Sequence, residues 1–81
     1  MWHIYIVKCK DKTLYTGITN DIKKRINEHN RGKGAKYTRG RGPVKLIYKE
    51  SFRSKGKALS REYAIKSLKK GEKLKLIRGK K

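Results

Sequence analysis

Residues 2–19 read WHIYIVKCKDKTLYTGIT, and this stretch contains the clearest structural pattern of the chain. Two runs of β-branched and aromatic residues, Trp2–Cys9 and Thr13–Thr19, are typical of β-strands. A short polar turn separates them, so they are predicted to pair as a hairpin. Gly17 interrupts the second run, which indicates that another backbone or a ligand approaches the strand closely there.

A first helix is predicted directly after the hairpin. Asn20 or Asp21 can cap it, because both side chains can accept a hydrogen bond from a free backbone N–H. The helix runs to about His29, and Ile22 and Ile26, four residues apart, give it an apolar stripe.

The rest of the chain is predicted to contain a loop, a strand and two helices. Residues 30–43 form a long loop with four glycines, and Val44–Phe52 is a third strand. Ser54 can cap a second helix, which Gly71 is expected to end before a short last helix. The expected inner surface of the second helix consists of Ala58, Leu59, Ala64, Ile65 and Leu68.

The element order is therefore β-β-α-β-α-α, an α+β arrangement in which helices pack on a small sheet. The 81 residues allow a single domain, 1–81, with a basic tail at about 78–81.

The charge of the chain predicts an anionic partner. Lys and Arg total 25 against 6 Asp and Glu, a formal net charge of +19. Nucleic acid is the expected partner, DNA before RNA, because so large a charge of one sign disfavours a compact fold unless an anionic polymer offsets it. No apolar run is long enough to span a bilayer, and a membrane is not an expected partner. A single cysteine, Cys9, excludes an internal disulfide and fits the cytoplasm.

Glu62 is the carboxylate with the most informative position. It shares a helix face with Ala58 and Ile65, where a carboxylate is costly unless it is paired or bound to a metal. It can hold one Mg²⁺, or it can form an ordinary salt bridge with Lys66 at i+4. The residues alone leave both interpretations open.

Arg25 and His29 project from one face of the first helix, since they are four residues apart. An arginine offers a fork for phosphate, and a histidine can relay a proton near neutral pH. The alternative is a solvated arginine and a half-buried histidine at a helix end. The chain also has five tyrosines, which either pack in a thin core or act as acid or base: Tyr5, Tyr15, Tyr37, Tyr48 and Tyr63.

The loop residues 32–42 read GKGAKYTRGRG and combine cations, glycines and the aromatic Tyr37. This mixture suits contact with phosphates and with single-stranded or distorted DNA. The alternative is a mobile, solvated loop. The candidate nucleic-acid contacts are Arg41 and three residues called here the loop cations, Lys33, Lys36 and Arg39.

Taken in order, four signals resemble the GIY-YIG nuclease domain over about residues 1–78. They are Ile4-Tyr5, Tyr15-Thr16-Gly17, Arg25-x-x-x-His29-Asn30 and the helical Glu62. The chain is most similar to small stand-alone bacterial members of that family. The loop pattern His29-Asn30-x-Gly32, Gly34-Ala35-x-x-Thr38-x-Gly40-Arg41-Gly42-Pro43 also resembles the nuclease domain of eukaryotic structure-selective endonucleases. The nuclease subunit of bacterial nucleotide excision repair is a more distant relative.

The resemblance implies metal-dependent phosphodiester hydrolysis on a three-stranded antiparallel sheet flanked by helices. The resemblance assigns a role to each of the following positions: the signature tyrosines Tyr5 and Tyr15, the glycine Gly17 that lets DNA or the metal shell approach the strand, the phosphate-binding Arg25, the helical His29, a further active-site Tyr37 and the metal ligand Glu62. Glu62 is expected to hold Mg²⁺ or Mn²⁺, and either Tyr5 or Tyr15 is expected to take the proton of the attacking water and pass it to His29. A structure-selective endonuclease linked to DNA repair or recombination is the expected function.

The sequence departs from the family pattern in three places. The first motif, His3-Ile4-Tyr5, lacks its glycine, and the second, Tyr15-Thr16-Gly17, lacks its isoleucine. No asparagine follows Asn30, although many relatives carry a later one near the site.

The rival function is a catalytically silent DNA- or RNA-binding module. Because so small a domain contacts little DNA, a homodimer or a recruiting protein partner is a further expectation.

Overall fold

A computed structural model describes residues 1–79, and its elements follow the predicted order β-β-α-β-α-α. Their bounds are β1 Trp2–Lys8, β2 Leu14–Thr19, α1 Ile22–Asn30, β3 Lys45–Phe52, α2 Lys55–Lys66 and α3 Lys70–Gly79. A single 3₁₀ turn, Lys36–Thr38, lies in the loop between α1 and β3.

The three strands form one antiparallel sheet in the order β2-β1-β3, which confirms the expected sheet. Tyr5 of β1 lies directly opposite Gly17 of β2. A register shift between Ile6 and Val7 marks an irregularity in the pairing of β1 with β3. Helices cover both faces of the sheet, so the middle of the central strand β1, Ile4–Val7, is buried on both sides.

Alternate residues of β1 serve two different cores, since successive side chains point to opposite faces of a strand. Ile4 and Ile6 are buried against α2 and α3. Tyr5 and Val7 are buried on the other face, together with the predicted isoleucine stripe of α1. The second core therefore carries both apolar side chains and the polar end of Tyr5.

Side-chain caps begin α1 and α2 as predicted. The Asp21 carboxylate accepts a hydrogen bond from the Lys24 N–H at 3.1 Å, at the start of α1. The Ser54 hydroxyl accepts one from the Lys57 N–H at 3.3 Å, at the start of α2. These bonds satisfy N–H groups that have no partner inside a helix.

The predicted inner surface of α2 is wrong at two positions. Ala58 and Ile65 are buried, as expected, but Leu59 is 43% exposed and Ala64 is also exposed. Each of these two residues is one position away from a buried one. One position is about 100° around a helix, which turns the side chain away from the sheet.

The predicted helix break at Gly71 is also wrong. The second helix ends at Lys66, where the Ser67 N–H donates to a carbonyl one turn back, and Gly71 lies in the first turn of α3. The Glu72 carboxylate accepts a hydrogen bond from the Lys69 N–H at 2.9 Å and so closes that turn. A glycine costs a helix only about 1 kcal/mol relative to alanine, which its neighbours in α3 can offset.

The predicted basic tail begins inside a helix, because Arg78 and Gly79 belong to α3. Residues 80–81 lie outside the described part of the chain. Within residues 1–79, none of the helices has the length and apolar character that crossing a membrane requires.

Candidate active site

Tyr5 and Tyr15 meet on the α1 side of the sheet, where the hairpin brings the two strands together. Their ring centroids are 6.4 Å apart. Gly17 lies against the end of Tyr5, because a Cβ atom built on Gly17 would be 2.5 Å from the Tyr5 hydroxyl oxygen. The predicted close approach at Gly17 is therefore made by Tyr5 itself, and no side chain fits at that position.

His29 is buried at the end of α1 and faces the same two tyrosines. Its ring centroid is 5.7 Å from that of Tyr5 and 5.5 Å from that of Tyr15. Its Nε2 atom is 2.8 Å from the Tyr5 hydroxyl, and its Nδ1 atom is 2.7 Å from the Thr38 hydroxyl. Both ring nitrogens are thus engaged in hydrogen bonds. The histidine is 1% exposed, so it is fully buried and not half-buried as the alternative supposed.

Arg25 lies one turn before His29 and interacts with Tyr5. The Tyr5 hydroxyl is the largest cause of the raised pKa of Arg25, which indicates that the guanidinium lies near the phenol. The guanidinium also pairs with the Glu28 carboxylate at 3.1 Å, with about a third of the arginine side chain exposed. Arg25 therefore contacts the site and still has surface open to an anionic ligand.

The site holds Tyr5 protonated and His29 neutral. Burial raises the pKa of Tyr5, and the negative charge of Glu62 adds to this effect, while Arg25 opposes it. Burial lowers the pKa of His29, and the positive charge of Arg25 lowers it further. At neutral pH the pair is therefore a neutral phenol and a neutral imidazole. One proton lies in the hydrogen bond between the Tyr5 oxygen and Nε2 of His29.

Glu62 reaches the site from α2, on a side chain that is only 15% exposed. Its carboxylate pairs with the Lys66 ammonium at 3.3 Å, as one of the two sequence interpretations predicted. The same ammonium lies 6.0 Å from the centre of the Tyr15 ring. Glu62 thus acts on the site in two ways: its charge raises the pKa of Tyr5, and its partner Lys66 lies near Tyr15.

The loop after α1 is attached at several points. The Arg41 carbonyl accepts a hydrogen bond from the Lys10 N–H at 2.8 Å, and the Asn30 side chain accepts one from the Val44 N–H at 2.6 Å. The Tyr37 ring stacks on Tyr15, with centroids 5.7 Å apart. These contacts tie the loop to the hairpin and to α1, in contrast to the alternative of a mobile, solvated loop.

The candidate phosphate contacts of this loop fall into two groups. The three loop cations are exposed. Arg41 instead lies 4.4 Å from the centre of the Tyr37 ring and forms a salt bridge with Asp11. The loop cations are therefore available to a ligand, while Arg41 also holds the loop in place.

Sequence reasoning assigned no role to three residues that shape the site. Thr38 bonds His29, and Asn30 anchors the start of β3. Gly34 lies against the imidazole, because a Cβ atom there would be 2.3 Å from Nδ1 of His29. The loop pattern that includes Gly34 and Thr38 indicated that this loop belongs to the site. Residue spacing does not show which loop residue contacts His29 of α1.

This α+β fold, with tyrosines from two strands beside a histidine, an arginine and a glutamate from two helices, defines a small nuclease-type domain. The family model described as the GIY-YIG catalytic domain matches residues 1–75. The chain belongs to the GIY-YIG family, as its motifs predicted.

Several relatives match nearly the whole chain. The UPF0213 protein CPE1444 of Clostridium perfringens is 61% identical over 80 residues, 99% of this chain and 86% of the relative. The UPF0213 protein VNG_2274C of Halobacterium salinarum is 55% identical over 73 residues, 90% and 95% of the two chains. These names state no activity.

A solved structure shares the fold. The solution structure of the UPF0213 protein BH0048 from Bacillus halodurans matches with a TM-score of 0.65 and 47% identity, covering 99% of this chain and 86% of that protein. The structure of the protein EF2693 from E. faecalis matches with a TM-score of 0.60 and 38% identity, covering 91% and 80%.

Proposed function

We propose that this chain is a metal-dependent endonuclease that hydrolyses phosphodiester bonds in DNA. The observation that carries the proposal is the buried hydrogen bond of 2.8 Å between the Tyr5 hydroxyl and Nε2 of His29. Arg25 and Glu62 act on the same phenol, one lowering and one raising its pKa. Buried titratable groups whose pKa values are shifted by burial and by specific charged neighbours cluster at functional sites, and Tyr5 and His29 are both of this kind.

Tyr5 is the tyrosine that the geometry favours for proton transfer. Its hydroxyl gives its own proton to Nε2 of His29 and takes a proton from the attacking water, so the phenol ends as it began. Burial raises the pKa of Tyr5, so a free phenolate is disfavoured and a relay is the better use of the group. The nitrogens of His29 are bonded to Tyr5 and Thr38, so Tyr15 is left to shape the site.

Arg25 is suited to bind the phosphate of the substrate. It is also suited to offset the negative charge that develops on that phosphate during the reaction. Its planar fork matches two phosphate oxygens, and it is partly exposed beside Tyr5. A fixed cation aimed at developing negative charge lowers the barrier because it needs no reorientation during the reaction. The three loop cations supply further phosphate contacts without regard to sequence.

Glu62 is the residue that would hold Mg²⁺ or Mn²⁺. In residues 1–79, no three His, Cys, Asp or Glu side chains come together, so a cage of protein ligands is not formed. A single carboxylate fits Mg²⁺ well, since this ion is commonly bound by one or two carboxylates, waters and phosphate oxygens. When bound, such an ion polarises a phosphate oxygen and stabilises charge on the leaving group.

The direct test is nicking of a supercoiled plasmid with Mn²⁺ or Mg²⁺ against EDTA. Wild type is expected to nick only with the metal, and Tyr5→Phe is expected to lose about 10²–10⁴-fold in rate, the scale of general acid–base catalysis. Tyr63→Phe is the matched control, because Tyr63 is 77% exposed and loses the same hydroxyl. Equal nicking by both variants would show that Tyr5 only packs.

The alternative function is a silent nucleic-acid-binding module, and the ion pair between Glu62 and Lys66 favours it. A carboxylate that already has a cationic partner at 3.3 Å has a structural explanation that needs no metal. Binding of DNA or RNA without any metal-dependent cleavage, by a preparation whose fold is verified by NMR, would establish this alternative.

We further propose that residues 1–81 act as one domain in the cytoplasm. The proposed substrate is branched or flapped DNA formed during repair or recombination. The domain is proposed to act as a homodimer or with a recruiting protein. Cleavage rates on flap, branched and linear duplexes of equal length test the preference for DNA structure. Sedimentation of the protein with and without DNA tests the homodimer. Equal rates on all three substrates would remove the structure-selective part and leave the nuclease proposal in place.

A further inference from the structure

Each nitrogen of the His29 imidazole has a hydrogen-bond partner: Tyr5 at Nε2 and Thr38 at Nδ1. The proposed chemistry uses Tyr5 but gives no role to Thr38. We propose that Thr38 is a positioning residue, whose hydroxyl oxygen accepts a hydrogen bond from the Nδ1–H group of His29. Nε2 is then left without a proton and can receive the one on Tyr5. This inference rests on the proposed nuclease function for its effect on cleavage, but not for the tautomer itself.

The hydrogen bonds of Thr38 support this assignment. Its hydroxyl donates to the Ala35 carbonyl at 2.9 Å. A hydroxyl has a single proton to donate, so at the 2.7 Å contact with His29 the same oxygen acts as the acceptor. Nδ1 must then carry the proton.

The surroundings of Tyr5 agree with the same tautomer. The Arg25 guanidinium, whose interaction with the Tyr5 hydroxyl lowers the pKa of the phenol, can only donate a hydrogen bond. The phenol proton is therefore free to point at Nε2 of His29, 2.8 Å away. An accepting Nε2 requires the proton of the neutral ring to be on Nδ1, which agrees with the bond to Thr38.

Thr38 is held firmly enough to select one tautomer. It is 1% exposed and belongs to the 3₁₀ turn, with its N–H bonded to the Ala35 carbonyl and its carbonyl bonded to the Arg41 N–H. Gly34 fills the space beside Nδ1 of His29 so closely that a Cβ atom would be 2.3 Å away. The loop thus presents one polar atom to Nδ1 from a fixed position.

The consequence for the reaction concerns where the Tyr5 proton goes. With Nδ1 protonated, the O–H bond of Tyr5 breaks, an N–H bond forms at Nε2, and the proton of the attacking water replaces the one that left. With the other tautomer, an N–H at Nε2 would face the Tyr5 oxygen, and the ring could not accept that proton. A tautomer error of this kind leaves geometry intact and stops the proton relay.

The first experiment is NMR of uniformly ¹⁵N-labelled wild type at neutral pH, which distinguishes a protonated from a bare ring nitrogen. Wild type and Thr38→Ser are expected to show the proton of His29 on Nδ1. Thr38→Val removes the acceptor and is expected to shift the ring toward the Nε2-protonated form. Thr16→Val is the matched control, because Thr16 is also buried and its hydroxyl has no hydrogen-bond partner among residues 1–79.

The second experiment is plasmid nicking by the same four proteins. Thr38→Val is expected to lose about a hundredfold or more in rate, while Thr38→Ser and Thr16→Val stay within a few-fold of wild type. If Thr38→Val does not fold, the wild-type spectrum alone still tests the tautomer.

A proton on Nε2 in wild type overturns the inference, and so does an unchanged tautomer in folded Thr38→Val. A shifted tautomer with unchanged nicking overturns the positioning role. A wild type that never cleaves but carries its proton on Nδ1 refutes the nuclease function and supports the assignment of the tautomer.

Discussion

Gly17→Ala tests whether the Tyr5 hydroxyl is really packed against the neighbouring strand. The added Cβ would lie 2.5 Å from the hydroxyl oxygen and 2.6 Å from Cζ of Tyr5. Ordinary contact begins at 3.4 Å, so the end of the ring must move by about 0.8–0.9 Å. Tyr5 is buried and bonded to His29, which leaves it little room to do so.

The expected cost combines two opposing effects. Forcing an extra methyl group into a packed site costs about 1–3 kcal/mol. Replacing glycine within a strand returns about 0.5–1 kcal/mol, because the unfolded chain has less conformational freedom to lose. The two effects leave a net loss in unfolding free energy within about 0–2.5 kcal/mol, centred near about 1 kcal/mol. For a domain of this size, a loss of about 1 kcal/mol lowers the melting temperature by about 4–8 °C.

Thermal and urea unfolding measure this effect, with Gly56→Ala as the control. A Cβ on Gly56 would approach nothing closer than 3.5 Å, the Ser54 hydroxyl, so this alanine in α2 is expected to be neutral or stabilising. Adding Tyr5→Phe to Gly17→Ala removes the nearest overlapping atom and is expected to recover part of the loss. Gly17→Ala that melts at or above the wild-type temperature would refute the packing argument.

The remaining predictions concern charge. Glu62→Gln is expected to abolish metal-dependent nicking and to change the unfolding free energy by no more than about 0.5–1 kcal/mol, since its Lys66 partner is half exposed; a large fall in stability with full activity would contradict this. Unfolding free energy is expected to fall as pH drops below about 6.5, because burial lowers the pKa of His29 in the folded state only and the unfolded chain binds the proton more readily. The pKa of His3 is lowered too, so the titration belongs in a His3→Gln background, and a flat profile there would contradict it. Neutralising the three loop cations together is expected to reduce the slope of log affinity against log salt by roughly 2–3, measured by fluorescence anisotropy on two unrelated DNA sequences; an unchanged slope would place the phosphates elsewhere. Arg25→Gln is expected to raise the pKa of His29, measured by NMR titration.

The parts of the fold that depend on neighbouring residues were predictable from the sequence. The β1–β2 hairpin follows from two β-rich runs and a polar turn, and the caps Asp21 and Ser54 act on N–H groups three residues away. Leu59 and Ala64 were misplaced because the apolar stripe of α2 is narrow. Which of two adjacent apolar residues is buried depends on how α2 packs on the sheet: Ala58 rather than Leu59, and Ile65 rather than Ala64.

The candidate site was only partly predictable, because it is assembled from distant segments. The motifs gave the residue types at positions such as Tyr5, His29 and Glu62. They did not show which tyrosine bonds the histidine, since that depends on how α1 packs on the sheet. The pairing of Thr38 with His29 depends on the path of a glycine-rich loop, and residue spacing does not determine such a path.

The prediction for Arg25 follows from the effect of its charge on both residues of the proton relay, Tyr5 and His29. Arg25 lowers the pKa of His29 and also lowers that of Tyr5, so it disfavours a proton on the imidazole and favours the loss of one from the phenol. In Arg25→Gln, the Glu28 carboxylate acts on His29 without opposition, and the pKa of His29 should rise. It should stay below the value of a free histidine, because burial is the largest cause of the shift and remains. Arg31→Gln is the control, since this exposed arginine is nearer to His29 in sequence but is not among the charges that shift it. Equal titration curves for Arg25→Gln and wild type, recorded without DNA or metal, would show that Arg25 does not tune the relay and that any loss of cleavage comes from phosphate binding.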